Sequence, residues 1–258
     1  MTQKLAYTIY LYMKEMSLID HLEELRGRVI RILGILVVSF AVCYTFGAQI
    51  GDFLLEPLRH ALGDEGKIIY IGLLDKVLAQ FQLAFWSSIL LSSPIWFREF
   101  WLFIKPALYD HEIKAIRPFI FVGFVLFILG VSFGYCIVFP YTFETILGFG
   151  VQDIDAYLSM KDYLILSCKV LLFLGVLFQL PNVMLILGFM EVVTKQSLSA
   201  MRRYVYVAFA VLSAMITPPD VITMMALWVP LALLYEVGIL AVAFIVHPRL
   251  KKKYLPDD

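Results

Sequence analysis

Six long apolar runs, set apart by short charged segments, limit this chain more than anything else in it. They cover about residues 29–50, 77–97, 118–139, 163–190, 204–216 and 223–246. A helix rises 1.5 Å per residue, so roughly 20 residues cross a hydrocarbon core of about 30 Å. Five of the runs meet that length. The fifth reaches only about 20 Å between Arg202-Arg203 and Thr217-Pro218-Pro219-Asp220, which predicts a locally thinned bilayer or a span shielded by its neighbours. The runs are apolar all round and do not alternate, which excludes the strands of a membrane barrel. The expected fold class is therefore all-α: a polytopic membrane protein with six transmembrane helices. Composition agrees, with 61% apolar and 16% charged residues among 258, against about 45–50% and about 25% in a soluble domain.

Lysine and arginine set the expected orientation, because they are retained on the cytoplasmic side. With the N-terminus inside, sixteen of the 21 basic residues fall in cytoplasmic segments and four in outer loops, while Lys169 lies within the fourth run. An even number of spans returns the C-terminus to the cytoplasm. The expectation is a multi-pass protein of the cytoplasmic (inner) membrane. Residues 17–250 form the membrane domain, 251–258 a basic then acidic tail, and 1–16 an extension expected to be disordered or not translated, since Met16 directly precedes the first helix signal.

Several chemistries find no footing. The formal net charge is zero, so no nucleic-acid partner is expected. Cys43, Cys136 and Cys168 each sit in an apolar run, and an odd count without paired spacing gives neither a disulfide framework nor a metal site. The four histidines are dispersed, and no HExxH, GxSxG, Walker A or GxGxxG pattern is present. No enzyme and no cofactor are expected.

The polar residues near and within the runs are the candidates for function. Ser17 is a good N-cap, and Leu18, Leu22, Leu25 and Val29 share one helical face. This predicts a short amphipathic helix over 17–28 on the inner membrane surface, with Glu24 and Arg28 paired at i, i+4. The segment 97–112 is aromatic-rich and ends on a carboxylate, Glu112; the alternatives are an interfacial belt of Phe and Trp anchoring the second helix and a merely solvated carboxylate. After the first run, Glu56-Pro57 and Leu54, Leu58 and Leu62 predict a short helix on the outer surface. Within the fourth run, Gln179 and Asn182 flank Pro181, either as a functional pair or as partners for the carbonyl that the proline frees. Glu236 lies midway along the sixth run and must face a wet cavity, be protonated or find a partner. Gln179 and Glu236 fall at similar depth, which predicts one shared cavity.

Three segments resemble the TatC family, the core subunits of the twin-arginine protein translocase. They are His21-Leu-Glu-Glu-Leu-Arg-Gly-Arg28, Phe103-Ile-Lys-Pro-Ala-Leu-Tyr-Asp-His-Glu112, and Thr217-Pro-Pro-Asp220 followed by Glu236. The resemblance covers the chain from Ser17 to about Leu250. It implies a concave bundle that recognises twin-arginine signal peptides on folded cargo at the cytoplasmic face and exports that cargo with the proton-motive force. It also implies single-span TatA-type and TatB-type partners, contact with membrane lipids and assembly as an oligomer within a translocase complex. Carried over by position, Glu24 and Glu112 are the acidic receptors, with Arg26, Arg28 and Phe103 shaping the same patch. His21, Pro57, Pro106, Gln179, Pro218, Asp220 and Glu236 are the further structural or functional positions. One departure stands out, since many family members carry a glutamate where this chain has Gln179. The alternative is a secondary carrier for a small solute, which needs a midplane site and related halves; no internal repeat supports it.

Overall fold

The computed structural model describes residues 18–62, 67–104, 116–148, 157–217 and 220–248. Within these, the side chains at 18–21, 67, 101, 103–104, 116–119, 146–147 and 157–158 are not described. The extension 1–16, the tail 251–258, Ser17, Pro106, Glu112 and Pro218 lie outside the described residues.

Helix α1 runs unbroken over Leu18–Thr45. A separate surface helix over 17–28 does not form. Nothing in Arg26-Gly27-Arg28-Val29 stops a helix, and a Cβ on Gly27 would meet nothing within 4 Å. The glycine therefore costs only its propensity, about 1 kcal/mol, and the charged end of the helix continues directly into the first apolar run. Helix α2 (Gly47–Leu62) then lies across the far end of the bundle, with Gly51, Leu54, Leu55 and Leu58 buried on one face. This is the expected short helix after the first run.

Helix α3 (Asp75–Leu91) brings the chain back, and α4 (Ser93–Ile104) begins after Ser92. Helix α5 (Ile116–Phe133) continues through a π-helical turn, Gly134–Val138, into α6 (Phe139–Gly148). Helices α7 (Met160–Leu177) and α8 (Leu180–Phe189) are broken at Phe178-Gln179, with Pro181 in the first turn of the second piece. Helices α9 (Lys195–Ile216) and α10 (Val221–Ala241) close the bundle, and α10 ends in a second π-helical turn, Val242–Val246. Both π turns end two residues before a proline, Pro140 and Pro248. Proline lacks the N–H for the carbonyl four residues back and its ring crowds that carbonyl, so the helix widens just ahead of it.

Among the described residues, four stretches are long and apolar enough to cross a bilayer unaided: Leu22–Thr45, Ile120–Thr145, Met160–Phe189 and Val221–Val246. The other two of the six crossings are α3 and α9. Helix α3 has 17 residues. Helix α9 has 22, beginning nine residues before Tyr204, so it is about 33 Å long and not the 20 Å of its clean apolar part. Fold class is as the runs predict, an all-α polytopic membrane bundle. The only sheet among the described residues is one parallel pair of three-residue strands, β1 (Lys67–Ile69) and β2 (Tyr157–Ser159), joining two far-end loops.

Two cores hold the bundle. The larger gathers Phe97, Phe127, Leu174, Met184, Phe209, Leu227, Leu231 and Tyr235 from α4, α5 and α7 to α10. The second lies at the far end, where Leu54, Leu55 and Leu58 of α2 pack on Leu83, Phe139, Phe143, Tyr163 and Leu164. Pro57 shapes this cap. It deprives the Phe53 carbonyl of its helical N–H, and the Tyr135 hydroxyl donates to that oxygen at 2.7 Å, with the two rings stacked 4.4 Å apart. The Tyr163 hydroxyl does the same for the next carbonyl, Leu54, at 2.7 Å.

Candidate functional site

At the near end, where α1 begins and α4 ends, the first turns of α1 pack against α4 and bring Glu24, Arg28 and Arg31 beside Glu99. Glu24 and Arg28 pair at i, i+4, as expected: Arg28 Nε donates to Glu24 Oε1 at 3.1 Å and Nη2 makes a short contact with the same oxygen. The Arg28 guanidinium does not stop there. Its Nη1 donates to Glu99 Oε2 at 3.1 Å and its Nη2 to the Leu102 carbonyl at 3.1 Å. One planar fork thus bridges two carboxylates on two helices and a carbonyl near the end of α4, a geometry that suits arginine and not lysine.

Glu99 is the anchor of this cluster, and the motif reading passed over it. Its side chain is only 3% exposed. Arg31 Nη1 lies 3.4 Å from its Oε2, and Arg98 Nη1 lies 3.0 Å from its Oε1. Three guanidinium groups therefore surround one buried carboxylate, which is the surrounding a buried charge requires. The signal was present in the sequence: a carboxylate inside the aromatic stretch Phe97–Trp101, at the end of an apolar run, demands a cation. Glu24 is less well served. All its hydrogen bonds fall on Oε1, while Oε2 is enclosed and has no hydrogen-bond partner.

Arg26 lies on the exposed side of α1, away from this cluster. Phe103 falls in the last turn of α4 and His21 in the first turns of α1, with their side chains outside the described set. Glu112 and Pro106 lie outside the described residues, so the structure joins Glu24 to Arg28 and Glu99 but says nothing of Glu112.

The membrane-depth candidates are each accounted for locally. Gln179 is buried, and its Nε2 donates to the Gly123 carbonyl of α5 at 2.8 Å; Asn182 Nδ2 lies 3.5 Å from the Gln179 amide oxygen. The pair thus ties α7–α8 to α5. Glu236 is half-exposed on α10, held by Arg202 Nη2 at 2.7 Å and the Tyr206 hydroxyl at 2.5 Å, both from α9. The expected shared cavity is therefore not formed by these side chains: Gln179 is enclosed against α5, whereas Glu236 turns to α9. Asp220 caps α10, its carboxylate accepting the Thr223 N–H at 3.0 Å.

Residues 20–230 match the family model described as Sec-independent protein translocase protein (TatC). A protein of Magnetococcus marinus named Sec-independent protein translocase protein TatC is 40% identical over 222 residues, covering 86% of this chain and 82% of the relative. One of Rickettsia prowazekii with the same name is 36% identical over 251 residues, covering 95% and 100%. A solved structure described as the crystal structure of the twin arginine translocase receptor TatC superposes with a TM-score of 0.75 at 30% identity, covering 86% of this chain and 98% of the other.

Proposed function

The chain belongs to the TatC family of Sec-independent protein translocases, and from that premise we propose that it is the subunit that receives twin-arginine signal peptides at the cytoplasmic face. The observation that carries this reading is Glu24. It is a carboxylate near the start of the first transmembrane helix, with one enclosed oxygen lacking any hydrogen-bond donor. A guanidinium supplies paired N–H groups in the geometry a carboxylate accepts. Glu112, from the segment after α4, is the second carboxylate for the second arginine. Phe103 is assigned to the same patch by the family resemblance, whereas Arg26 faces away on the exposed side of α1. The protein lies in the inner membrane with both termini in the cytoplasm, in keeping with the basic residues at that end. TatA-type and TatB-type single-span proteins complete the translocase, which the proton-motive force drives. The small-solute carrier gains nothing from the structure, because Gln179 and Asn182 are enclosed and Glu236 is already paired.

Photo-crosslinking from the 105–115 segment to a twin-arginine precursor tests the assignment. Glu112→Lys replaces an attractive partner by a like charge. It is expected to abolish the crosslink while the protein remains inserted, and Glu24→Gln is expected to weaken it about tenfold, the worth of one charge-assisted hydrogen bond. Undiminished crosslinking in the Lys variant would remove Glu112 from the site.

A further inference from the structure

Arg28 occupies the place on Glu24 that an incoming arginine needs. We propose that Glu99 is a positioning residue that holds Arg28 when Glu24 passes to the signal peptide, so that binding is an exchange of one guanidinium for another. The proposal rests on the twin-arginine reading and deepens it.

The geometry carries the argument. Arg28 spends Nε and one contact of Nη2 on a single oxygen, Glu24 Oε1. Its other contacts, Nη1 to Glu99 Oε2 and Nη2 to the Leu102 carbonyl, do not involve Glu24. Arg28 can therefore release Glu24 and still be held by a full charge and a carbonyl. Glu99 is fit for that part because it does not depend on Arg28 to stay in place. It is buried, and Arg31 and Arg98 reach both its oxygens. Meanwhile Glu24 Oε2 is enclosed without a donor, a costly state that favours any N–H able to reach it. As Arg28 lets go of Oε1, an arriving guanidinium takes that oxygen and its second N–H reaches Oε2. Neither carboxylate is left without a guanidinium at any stage, because the peptide brings one to Glu24 and Arg28 keeps Glu99. A lysine gains less, since its single ammonium cannot satisfy both oxygens in one plane.

Binding of fluorescent synthetic signal peptides, with Arg-Arg or Lys-Lys at the twin position, to the purified full chain in lipid nanodiscs tests the exchange. Arg28→Gln removes the internal competitor while Glu99 keeps Arg31 and Arg98. It is expected to bind the Arg-Arg peptide about three- to tenfold more tightly than the wild type, the range for one charge-assisted contact. Glu99→Gln leaves Arg28 with Glu24 as its only carboxylate and is expected to bind about tenfold more weakly. The double variant is expected to return to within about twofold of Arg28→Gln, since Glu99 acts only through Arg28. Weaker binding by Arg28→Gln, or a double variant no better than Glu99→Gln, would overturn the exchange and leave the cluster a structural clamp. Should Glu99→Gln not fold, the sign of the Arg28→Gln effect alone decides. A wild type that binds Lys-Lys as well as Arg-Arg would instead sink the twin-arginine reading itself.

Discussion

Single residues at the far end tie loops that the sequence keeps far apart. Asp75, the first residue of α3 and ahead of the apolar run, accepts Lys161 Nζ at 2.6 Å and the Gly72 N–H at 2.6 Å. The Lys161 ammonium, helped by that backbone N–H, holds the Asp75 carboxyl below the usual carboxylate range. A group with a depressed folded pKa contributes stability above its unfolded value, about 3.9, and loses it as pH falls through the lower folded value. Thermal stability in detergent is therefore expected to be insensitive to pH near neutrality, where the tie is fully formed, and to fall below about pH 4. Asp75→Asn should be less stable than the wild type at pH 7 and should lose less on acidification. Parallel acid profiles for the two proteins would show that the tie contributes nothing. Glu236 teaches the complementary lesson within the membrane: the carboxylate that demanded a partner has two, Arg202 and Tyr206.

Helix crossings are governed by small residues. A Cβ on Gly130 of α5 would come within 2.7 Å of the Leu174 carbonyl oxygen, and one on Gly175 of α7 within 2.5 Å of the Phe127 ring. The two helices approach closely because neither residue has a side chain there, the usual means of association in lipid, where no hydrophobic force draws helices together. At Gly238 of α10 the nearest obstacle is the Met184 sulfur at 2.5 Å, on a flexible side chain. Gly130→Ala is expected to destabilise the bundle by about 1–3 kcal/mol, because backbone must move. Gly238→Ala should cost less, because Met184 can turn aside. Denaturant titration of both variants checks the order, and an equal or reversed loss would count against close α5–α7 contact. Helix α9 shows why its apolar stretch misled as to length. Its first two turns carry Lys195, Gln196, Ser197 and Ser199 around the buried Leu198, and Arg202, which looked like a barrier to entry, is paired with Glu236 of α10.

The molecule as a whole places its ties at both ends of a lipid-covered bundle: β1–β2 and Asp75–Lys161 at the far end, and the Glu24–Arg28–Glu99 cluster at the near end. The proposed orientation, argued from the basic residues, is that the near end faces the cytoplasm. Single cysteines placed in a cysteine-free background at exposed positions Arg59 and Gln196 test this. A membrane-impermeant thiol reagent should label Arg59→Cys in intact cells and Gln196→Cys only after permeabilisation. The opposite pattern would invert the molecule and remove the receptor site from the cytoplasm.

Much of this was written in the chain. Run length and all-round apolarity determined helices over strands, because hydrocarbon leaves backbone groups no partner but each other. The i, i+4 spacing determined the Glu24–Arg28 pair, and Asp220 three residues before Thr223 determined a cap. Local spacing cannot specify a partner 71 residues away, so the meeting of Arg28 with Glu99 was decided by the packing of α1 on α4. The same holds for Gln179, whose amide found the Gly123 carbonyl, and for Glu236, whose charge found Arg202 on the neighbouring helix. In each case the sequence stated that a buried polar group needed a partner, and only the crossing of helices chose which one, because desolvation acts on a residue alone while a hydrogen bond needs two groups brought within reach.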